Sequence, residues 1–223
     1  MKILALETGT DACSAALWVN GEMVELFEIA PRRHSDLILA MVDQLLKMRD
    51  LSLQELTAIG VGVGPGSFMG VRLAVGVAQG LAFGVGIPVV PISSLQALAL
   101  RAFQQLGYPH IAAAWDARMD EIYWGAYQKI GNEMRPVKED CLSAPPSIVL
   151  PDGGEWVLVG NAWQEYQLQL PQLLQRESYL IHPSAKAVAE LAARAYREGR
   201  AESALQLEPQ YIRQRVAFRP GGN

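Results

Sequence analysis

The order of apolar and polar residues divides the start of the chain into short strands. Residues 2–6 form a continuous apolar run, which is typical of a strand that is buried on both faces. Residues 12–19 and 22–29 predict two further strands, joined by Asn20-Gly21, the dipeptide that a two-residue hairpin turn favours. The pattern therefore predicts a buried strand followed, after a short turn, by an antiparallel hairpin.

A helix that is apolar nearly all round is predicted next. Ser35 or Asp36 is its predicted N-cap. Its apolar residues recur at helical spacing, at Leu37, Ile38, Met41, Val42, Leu45 and Leu46. A surface helix buries one stripe, so this helix either lies between layers of its own domain or faces a partner. The sequence leaves both interpretations open.

A second helix, predicted to reach about Phe83, carries small residues at regular intervals. Gly76, Gly80 and Gly84 lie four residues apart, beside a parallel row of alanines. Glycine within a helix lowers the stability of the helix by about 1 kcal/mol relative to alanine. The stripe therefore indicates close approach by another helix, from this chain or from a partner.

The same region has the composition of a membrane-spanning segment, because residues 73–92 contain no charged side chain. Four glycines, two prolines and Gln79 interrupt it, however, and its end reads as a strand at residues 88–92. A buried helix followed by a buried strand explains the run better, and we expect no membrane span.

The second half of the chain repeats the alternation of strands and helices. Gly107-Tyr108-Pro109 interrupts the pattern after a third helix, and we predict a lobe boundary there, between residues 1–107 and a smaller C-terminal lobe, residues 108–223, with a tail. The predicted elements beyond it are strands at 111–115, 121–130, 156–159 and 178–181, a loop at 131–155, a weak helix at 162–175 and a clear helix at 184–199. This alternation predicts an α/β protein with mixed sheets.

Composition narrows the class of protein. The 223 residues carry 19 Lys and Arg against 23 Asp and Glu, and half of them are hydrophobic, so a packed core is expected. The net charge of −4 argues against a domain that grips a phosphate backbone by itself. Two distant cysteines, Cys13 and Cys141, and a first apolar run too short for a secretory signal favour a cytoplasmic protein.

A glycine-rich loop lies between a predicted strand and the second helix, where backbone amides and the helix dipole favour an anion. Its candidate residues are Gly64, Gly66, Ser67 and Gly70. The loop has neither the lysine of a Walker loop, nor dinucleotide spacing, nor the frame of a nucleophile elbow. A tight structural turn, a phosphate contact and a protein contact all remain open.

A second candidate loop follows the first strand. Glu7, Thr8, Gly9 and Thr10 resemble a phosphate loop in which an acidic residue organises Mg²⁺, but a plain turn has the same composition. No metal site is predicted, because His34, His110 and His182 are scattered without ligand spacing. The charges between Asp116 and Glu121 read either as a salt-bridged hairpin tip or as a recognition element.

In combination these motifs resemble the TsaB (YeaZ) family. The residues that carry the resemblance are 2–8, Asn20-Gly21, Arg33-His34-Ser35, 64–72 and 114–123. It covers roughly the first 125 residues strongly, and further on only Pro209-Gln210-Tyr211-Ile212-Arg213 is similar to the family's tail. The glycine loop and the Asp116-Ala117-Arg118 segment are specific together, whereas each alone is weak.

The resemblance implies an actin-like, sugar-kinase-like ATPase (ASKHA) fold of two RNase-H-like lobes, the second reduced. It implies a paralogue of the catalytic subunit TsaD that has lost the metal site and has no catalytic residues of its own. Such a subunit is required, with TsaD and TsaE, for transfer of the threonylcarbamoyl group from threonylcarbamoyl-AMP to N6 of an adenosine. That adenosine lies beside the anticodon of tRNAs reading codons that begin with adenine.

The resemblance also implies the partners. The first two helices would pair with TsaD, or with a second copy when the chain is alone, and tRNA would be reached only through the complex. The implied interface residues are Leu37, Met41, Val42, Leu45, Val71, Arg72, Val75, Gly76, Gln79, Gly80 and Phe83. No cofactor is expected on the chain alone, whereas ATP or ADP and Mg are expected in the complex.

Two departures from the family's pattern concern the phosphate-like loops. Glu7 stands where the family usually has Asp, and Met69 stands where it usually has Thr. A longer acid and a lost hydroxyl both argue against ATP binding in the cleft of this subunit. Two alternatives stay open: a glycoprotease-like peptidase, which needs an activated nucleophile or metal-bound water that the sequence does not display, and a stand-alone ASKHA ATPase.

Overall fold

Two five-stranded mixed sheets form the framework of the protein in a computed structural model that describes residues 1–131 and 133–213. The first sheet has the strand order β3-β2-β1-β4-β5. Its strands are β1 (Lys2–Glu7), β2 (Ala12–Val19), β3 (Glu22–Ile29), β4 (Ala58–Gly62) and β5 (Val89–Ile92). The predicted hairpin is confirmed: Asn20 and Gly21 both have positive φ, 52° and 100°, as a two-residue turn of this type requires.

The second sheet repeats the topology of the first. Its strands are β6 (His110–Arg118), β7 (Glu121–Ile130), β8 (Glu133–Ser143), β9 (Val157–Val159) and β10 (Ser178–Tyr179), in the order β10-β9-β6-β7-β8. In both sheets three antiparallel strands are followed by two parallel ones, with the first strand of each set in the centre. The chain therefore consists of two copies of one strand plan.

Helices connect the strands fully in the first copy and only partly in the second. They are α1 (His34–Met48), α2 (Phe68–Val85), α3 (Ser94–Leu106), α4 (Ala162–Glu165) and α5 (Ala185–Arg197). Single 3₁₀ turns, such as Pro145–Ser147 and Gln172–Leu174, stand where the second copy lacks long helices. The second lobe is accordingly the smaller one.

Three apolar clusters hold these elements in five layers. The first lies between the outer face of the first sheet and α1 with α2. The second fills the space between the two sheets, where α3 packs on the second sheet and α5 packs on the first. The third lies under α4 and the 3₁₀ turns on the far face of the second sheet, around Trp163 and Trp124.

The predicted C-terminal lobe, residues 108–223, contains a helix that packs on the first sheet. The chain leaves the first sheet at Gly107, but α5 returns and packs on β1, β2 and β4. The approach is close, because a Cβ on Gly60 of β4 would come within 2.6 Å of the Cβ of Ala192. Further on, Leu207 is buried in the cluster under α2. Segmentation along the sequence misses this return because burial follows space rather than chain order.

The prediction of a loop over residues 131–155 is wrong, since β8 occupies much of that region. β8 is the edge strand of the second sheet, with bulges in its pairing to β7. An edge strand tolerates Pro136 and the charges at residues 138–140, because one side of its backbone needs no partner strand. Because proline and charged residues are typical of loops, the sequence pattern predicted a loop here instead of a strand.

The predicted cap of α1 is also wrong. The helix begins at His34, and Arg33 occupies the N-cap position without a side-chain hydrogen bond. Ser35 and Asp36 are exposed in the first turn, where an acidic side chain still favours the helix dipole. By contrast, Ser67, Ser93 and Ser184 each accept a backbone hydrogen bond at the start of α2, α3 and α5.

α2 is, by length and composition, able to cross a membrane, and within residues 1–131 and 133–213 it is the one helix that meets this criterion. One face packs on the first sheet through Ala74, Ala78 and Ala82. The opposite face carries Gly76 and Gly80 at the surface. A helix followed by a strand, as predicted, is confirmed.

Candidate functional site

The two phosphate-like loops interlock with each other. The amide of Ser67 donates to the carbonyl of Gly9 at 2.7 Å, and the hydroxyl of Thr8 donates to the carbonyl of Gly70 at 2.7 Å. A Cβ on Gly66 would overlap the Gly9 carbonyl, and one on Gly70 would overlap the Thr8 carbonyl. Close backbone contact therefore requires these two glycines, which favours the structural interpretation of the loop.

Glu7 lies at the centre of this contact with no exposed surface. Its Oε1 accepts from the amide of Gly9 at 2.6 Å, and its Oε2 accepts from the hydroxyl of Ser94 at 2.7 Å. The same hydroxyl accepts from the amide of Gly64 at 3.2 Å, and Gly62 leaves the space that the carboxylate fills. Oε1 thus holds the turn that follows the first strand, and Oε2 ties that strand through Ser94 to α3 and to the glycine loop.

Burial raises the pKa of the Glu7 carboxyl above its ordinary value, and the hydrogen bonds from Ser94, Gly9 and Thr8 offset part of that rise. No group of three or more metal-ligating side chains occurs among the residues that the structure describes. The site therefore has the loops of a phosphate-binding fold with its acidic residue engaged internally.

Two histidines converge on Thr10, which the sequence did not reveal. The Nε2 atom of His34 lies 2.8 Å from the Thr10 carbonyl oxygen, and the Nδ1 atom of His182 lies 3.3 Å from the Thr10 hydroxyl. The His182 ring also packs against Trp115, with centroids 5.1 Å apart, and burial lowers its pKa. Because the two histidines are 148 positions apart (182 − 34), no local spacing could have signalled the pair.

A cleft of about 510 Å³ opens between the loops and the second sheet. Its walls are the two loops, the first turn of α2, the ends of β6 and β7, and the segment at residues 209–213. Charged side chains on its walls include Asp11, Arg72, Asp116, Arg118 and Arg213. The walls of the cleft therefore carry both acidic and basic groups.

The hairpin between β6 and β7 forms one wall of this cleft. The carboxylate of Asp116 is almost fully buried and lies 2.9 Å from the Arg118 guanidinium, which is exposed. It also accepts from the hydroxyl of Tyr166 at 2.8 Å. The structure thus contains the predicted salt bridge at the hairpin tip, and the recognition role remains a prediction.

The residues implied as an interface divide into two sets. Met41, Val42, Leu45, Val71 and Val75 are buried in the cluster between the helices and the first sheet. Their side chains hold this protomer together and expose little surface, and their part in an interface stays a prediction.

The other implied interface residues reach the surface. Gly76, Gly80 and Phe83 are exposed on α2, and Leu37, Arg72 and Gln79 are half-buried. Exposed Leu39 and Met48 on α1, which the prediction missed, belong to the same layer of helices. Together Leu39, Met48, Gly76, Gly80, Phe83 and Gly84 form what we call the α1–α2 surface. Within 4 Å, a Cβ on Gly76, Gly80 or Gly84 would meet nothing in the described chain.

Comparisons with known proteins agree with this architecture. A family model described as "TsaD: tRNA N6-adenosine threonylcarbamoyltransferase" matches residues 27–219. The duplicated strand plan and this match define the class: the chain has the predicted ASKHA fold, with two RNase-H-like lobes of which the second is reduced.

Relatives of nearly the same length narrow the class. The tRNA threonylcarbamoyladenosine biosynthesis protein TsaB of Escherichia coli is 38% identical, over 98% of this chain and 97% of its own length. The protein of that name from Haemophilus influenzae is 36% identical over 98% and 96%. A solved structure, YeaZ from Pseudomonas aeruginosa, superimposes with a TM-score of 0.89 at 40% identity, covering 94% of this chain and 99% of its own. The chain belongs to the TsaB family, as its motifs predicted.

Proposed function

We propose that this chain serves tRNA threonylcarbamoyladenosine biosynthesis as an accessory subunit. The observation that carries the proposal is the similarity to proteins named for this pathway, which extends over both lobes rather than over one motif. In detail, the chain supports TsaD and TsaE in moving a threonylcarbamoyl group from threonylcarbamoyl-AMP to N6 of the adenosine beside the anticodon.

The interlocked loops support a subunit that does not perform the transfer itself. The amide of Ser67 donates to the Gly9 carbonyl, and both carboxylate oxygens of Glu7 accept hydrogen bonds from the protein, from Gly9 and Ser94. A phosphate-binding loop would need such amides free, and a magnesium site would need the carboxylate accessible. Catalysis then resides in the partner TsaD, where ATP or ADP and Mg act in the complex.

The α1–α2 surface supports pairing with another protein. Among the described residues none lies within 4 Å of a Cβ placed on these glycines, so the row lets the backbone of a second helix approach closely. Phe83 and Leu39, 68% and 54% exposed, would lose water contact in such a pairing. We propose that TsaD occupies this surface in the complex and that a second copy occupies it in a homodimer when the chain is alone.

The mildly acidic charge supports indirect contact with tRNA. A net charge of −4 gives little attraction for a phosphate backbone, so tRNA is reached through the complex. We propose that the complex works in the cytoplasm, where its tRNA substrate is found.

A drop-out assay tests the proposal. TsaD, TsaE, threonylcarbamoyl-AMP, ATP and tRNA are combined, and modified adenosine is followed with and without this chain. We expect modification only when the chain is present. An authentic TsaB serves as the positive control. Equal modification without the chain, in a mixture known to respond to that control, would contradict the subunit role and redirect attention to peptidase or ATPase activity.

Calorimetry with ATP and Mg²⁺ tests the absence of a cofactor on the isolated chain. We expect no tight binding, because Glu7 and the glycine loop are already engaged with each other. A low-micromolar dissociation constant would refute this expectation and favour the stand-alone ATPase.

A further inference from the structure

The segment at residues 202–213 crosses from the first lobe to the second. At its start Glu202 exchanges two backbone hydrogen bonds with Val89 at the edge of the first sheet, both 2.9 Å long. The carbonyl of Leu207 then accepts from the side-chain amide of Gln79 on α2 at 2.8 Å. Ala204 and Leu207 are buried, so this part of the segment belongs to the core of the first lobe.

The last described residues leave that core and lie in the cleft. The amide of Gln210 donates to the carbonyl of Val63, at the end of β4, at 2.8 Å. The hydroxyl of Tyr211 accepts from the Arg72 guanidinium at 2.7 Å, and that guanidinium stacks on Phe68, 3.3 Å from the ring centroid. Residues 209–213 thus contact the end of β4 and the first turn of α2.

Arg213 completes the crossing by binding the β6–β7 hairpin of the second lobe. One guanidinium nitrogen, Nη2, lies 2.5 Å from the Glu121 carboxylate and 3.2 Å from the carbonyls of Ala117 and Arg118. The other, Nη1, lies 3.0 Å from the sulfur of Met119. The Arg213 side chain is 15% exposed, so this contact is largely removed from water.

The backbone of the hairpin is shaped to present these acceptors. Arg118, Met119 and Asp120 all have positive φ, between 57° and 62°. Residues other than glycine rarely adopt this backbone conformation even one at a time. The two consecutive carbonyls and the carboxylate converge on Nη2, and the Met119 sulfur lies at Nη1, so the hairpin contacts two corners of one planar guanidinium, a shape that lysine does not have.

We propose that one wall of the cleft, from the first turn of α2 to the β6–β7 hairpin, is a binding site for a short, arginine-bearing peptide segment, and that residues 209–213 of the same chain are the ligand bound along it. The recognition elements are the hairpin acceptors for the guanidinium, the Arg72–Phe68 pair for the tyrosine, and the Val63 carbonyl for a backbone amide. This site goes beyond the proposed subunit role and does not depend on it.

Hydrogen–deuterium exchange on the full-length protein tests the site. In the variant Tyr211→Ala/Arg213→Ala we expect the amides of residues 117–121 to exchange about tenfold faster or more, because both side-chain anchors of the segment are lost. The matched control is Arg33→Ala, which removes an exposed ion pair to Glu28 and leaves the hairpin unchanged. Unchanged exchange at residues 117–121 in the double variant would overturn the proposal.

Addition of peptide then tests the ligand. A peptide with the sequence of residues 208–213 should restore slow exchange in the double variant, whereas the same peptide with alanine in place of arginine should not. Neither peptide should change the unsubstituted protein, in which residues 209–213 already occupy this site. Restoration by both peptides alike, or by neither, would contradict an arginine-specific site.

A milder variant keeps the test decisive if the double variant loses protection throughout the first sheet. Arg213→Lys keeps the charge but replaces the planar fork with one ammonium group. We expect its hairpin amides to exchange at a rate between those of the unsubstituted protein and Arg213→Ala. Exchange equal to that of the unsubstituted protein would show that the hairpin recognises charge alone and would overturn the guanidinium site.

Discussion

Substitution of Gly80 separates a contact inside the chain from a contact with a partner. Gly80 lies in the middle of α2 on the exposed face, and a Cβ there would meet no atom of residues 1–131 and 133–213 within 4 Å. Ala78, two residues earlier, faces the opposite way and is fully buried. The two positions therefore form a matched pair on one helix.

Substitutions at Gly80 and at Ala78 are expected to change the stability of the monomer in opposite directions. Gly80→Ala should stabilise the monomer by about 1 kcal/mol, because alanine is the better helix former. For a chain of this size that corresponds to a rise in Tm of about 2–4 °C. Gly80→Leu should give a similar gain in the monomer but weaken association by about 1–3 kcal/mol, roughly 5- to 150-fold, since its side chain overfills a close helix contact. Ala78→Leu should instead destabilise the monomer by about 1–3 kcal/mol.

Thermal unfolding followed by circular dichroism measures the first effect, and sedimentation velocity over a concentration series measures association. Capture of purified TsaD by the same variants extends the test to the complex. If Gly80→Leu associates as the unsubstituted protein does, the α1–α2 surface is not the interface. If Gly80→Ala lowers the Tm, the stripe contacts another part of the same chain.

Three further predictions concern buried residues: Glu7, Gly70 and Tyr127. Glu7→Gln should flatten the pH dependence of the free energy of unfolding. The pKa of Glu7 in the folded protein lies above the ordinary value of 4.5, so protonated Glu7 stabilises the fold fully below pH 4.5. That stabilisation is lost as the pH rises through the folded-state pKa. Urea unfolding at several pH values checks this, and parallel profiles for the two proteins would contradict it. Gly70→Ala should destabilise the protein by more than about 1 kcal/mol, because its Cβ meets the Thr8 carbonyl, and an unchanged urea midpoint would refute that contact. Tyr127→Phe should cost about 1.5–3 kcal/mol, since the buried hydroxyl binds the Asp140 carboxylate; a calorimetric loss below 0.5 kcal/mol, about the size of a surface substitution, would argue against that bond.

Local signals determined much of the fold. The Asn20-Gly21 turn dictated the first hairpin because few other dipeptides take positive φ at both positions. Serine caps placed the starts of α3 and α5, where Ser93 and Ser184 accept backbone amides. Each of these features depends on residues within a few positions of one another, so the sequence displays them directly.

Pattern analysis failed where a strand lies at an edge. β8 contains Pro136 and a run of charges that a central strand would exclude, and only its position beside β7 makes them acceptable. Pattern analysis also left open which apolar stripe of α1 faces its own sheet, because helical spacing alone cannot tell. Met41 and Leu45 proved to face inward, and Leu39 outward.

The sequence by itself determined the α/β class, the Asn20-Gly21 turn, the serine cap of α5 and, through its motifs, the TsaB family. Only the tertiary structure decided that α5 returns to the first sheet, that His34 and His182 meet at Thr10, and that Arg213 binds the β6–β7 hairpin. The physical reason is how far apart in the sequence the interacting residues lie. Turns and caps are local hydrogen bonds, whereas His182 and Arg213 contact residues 172 and 92 positions away, and such contacts depend on the packing of whole sheets.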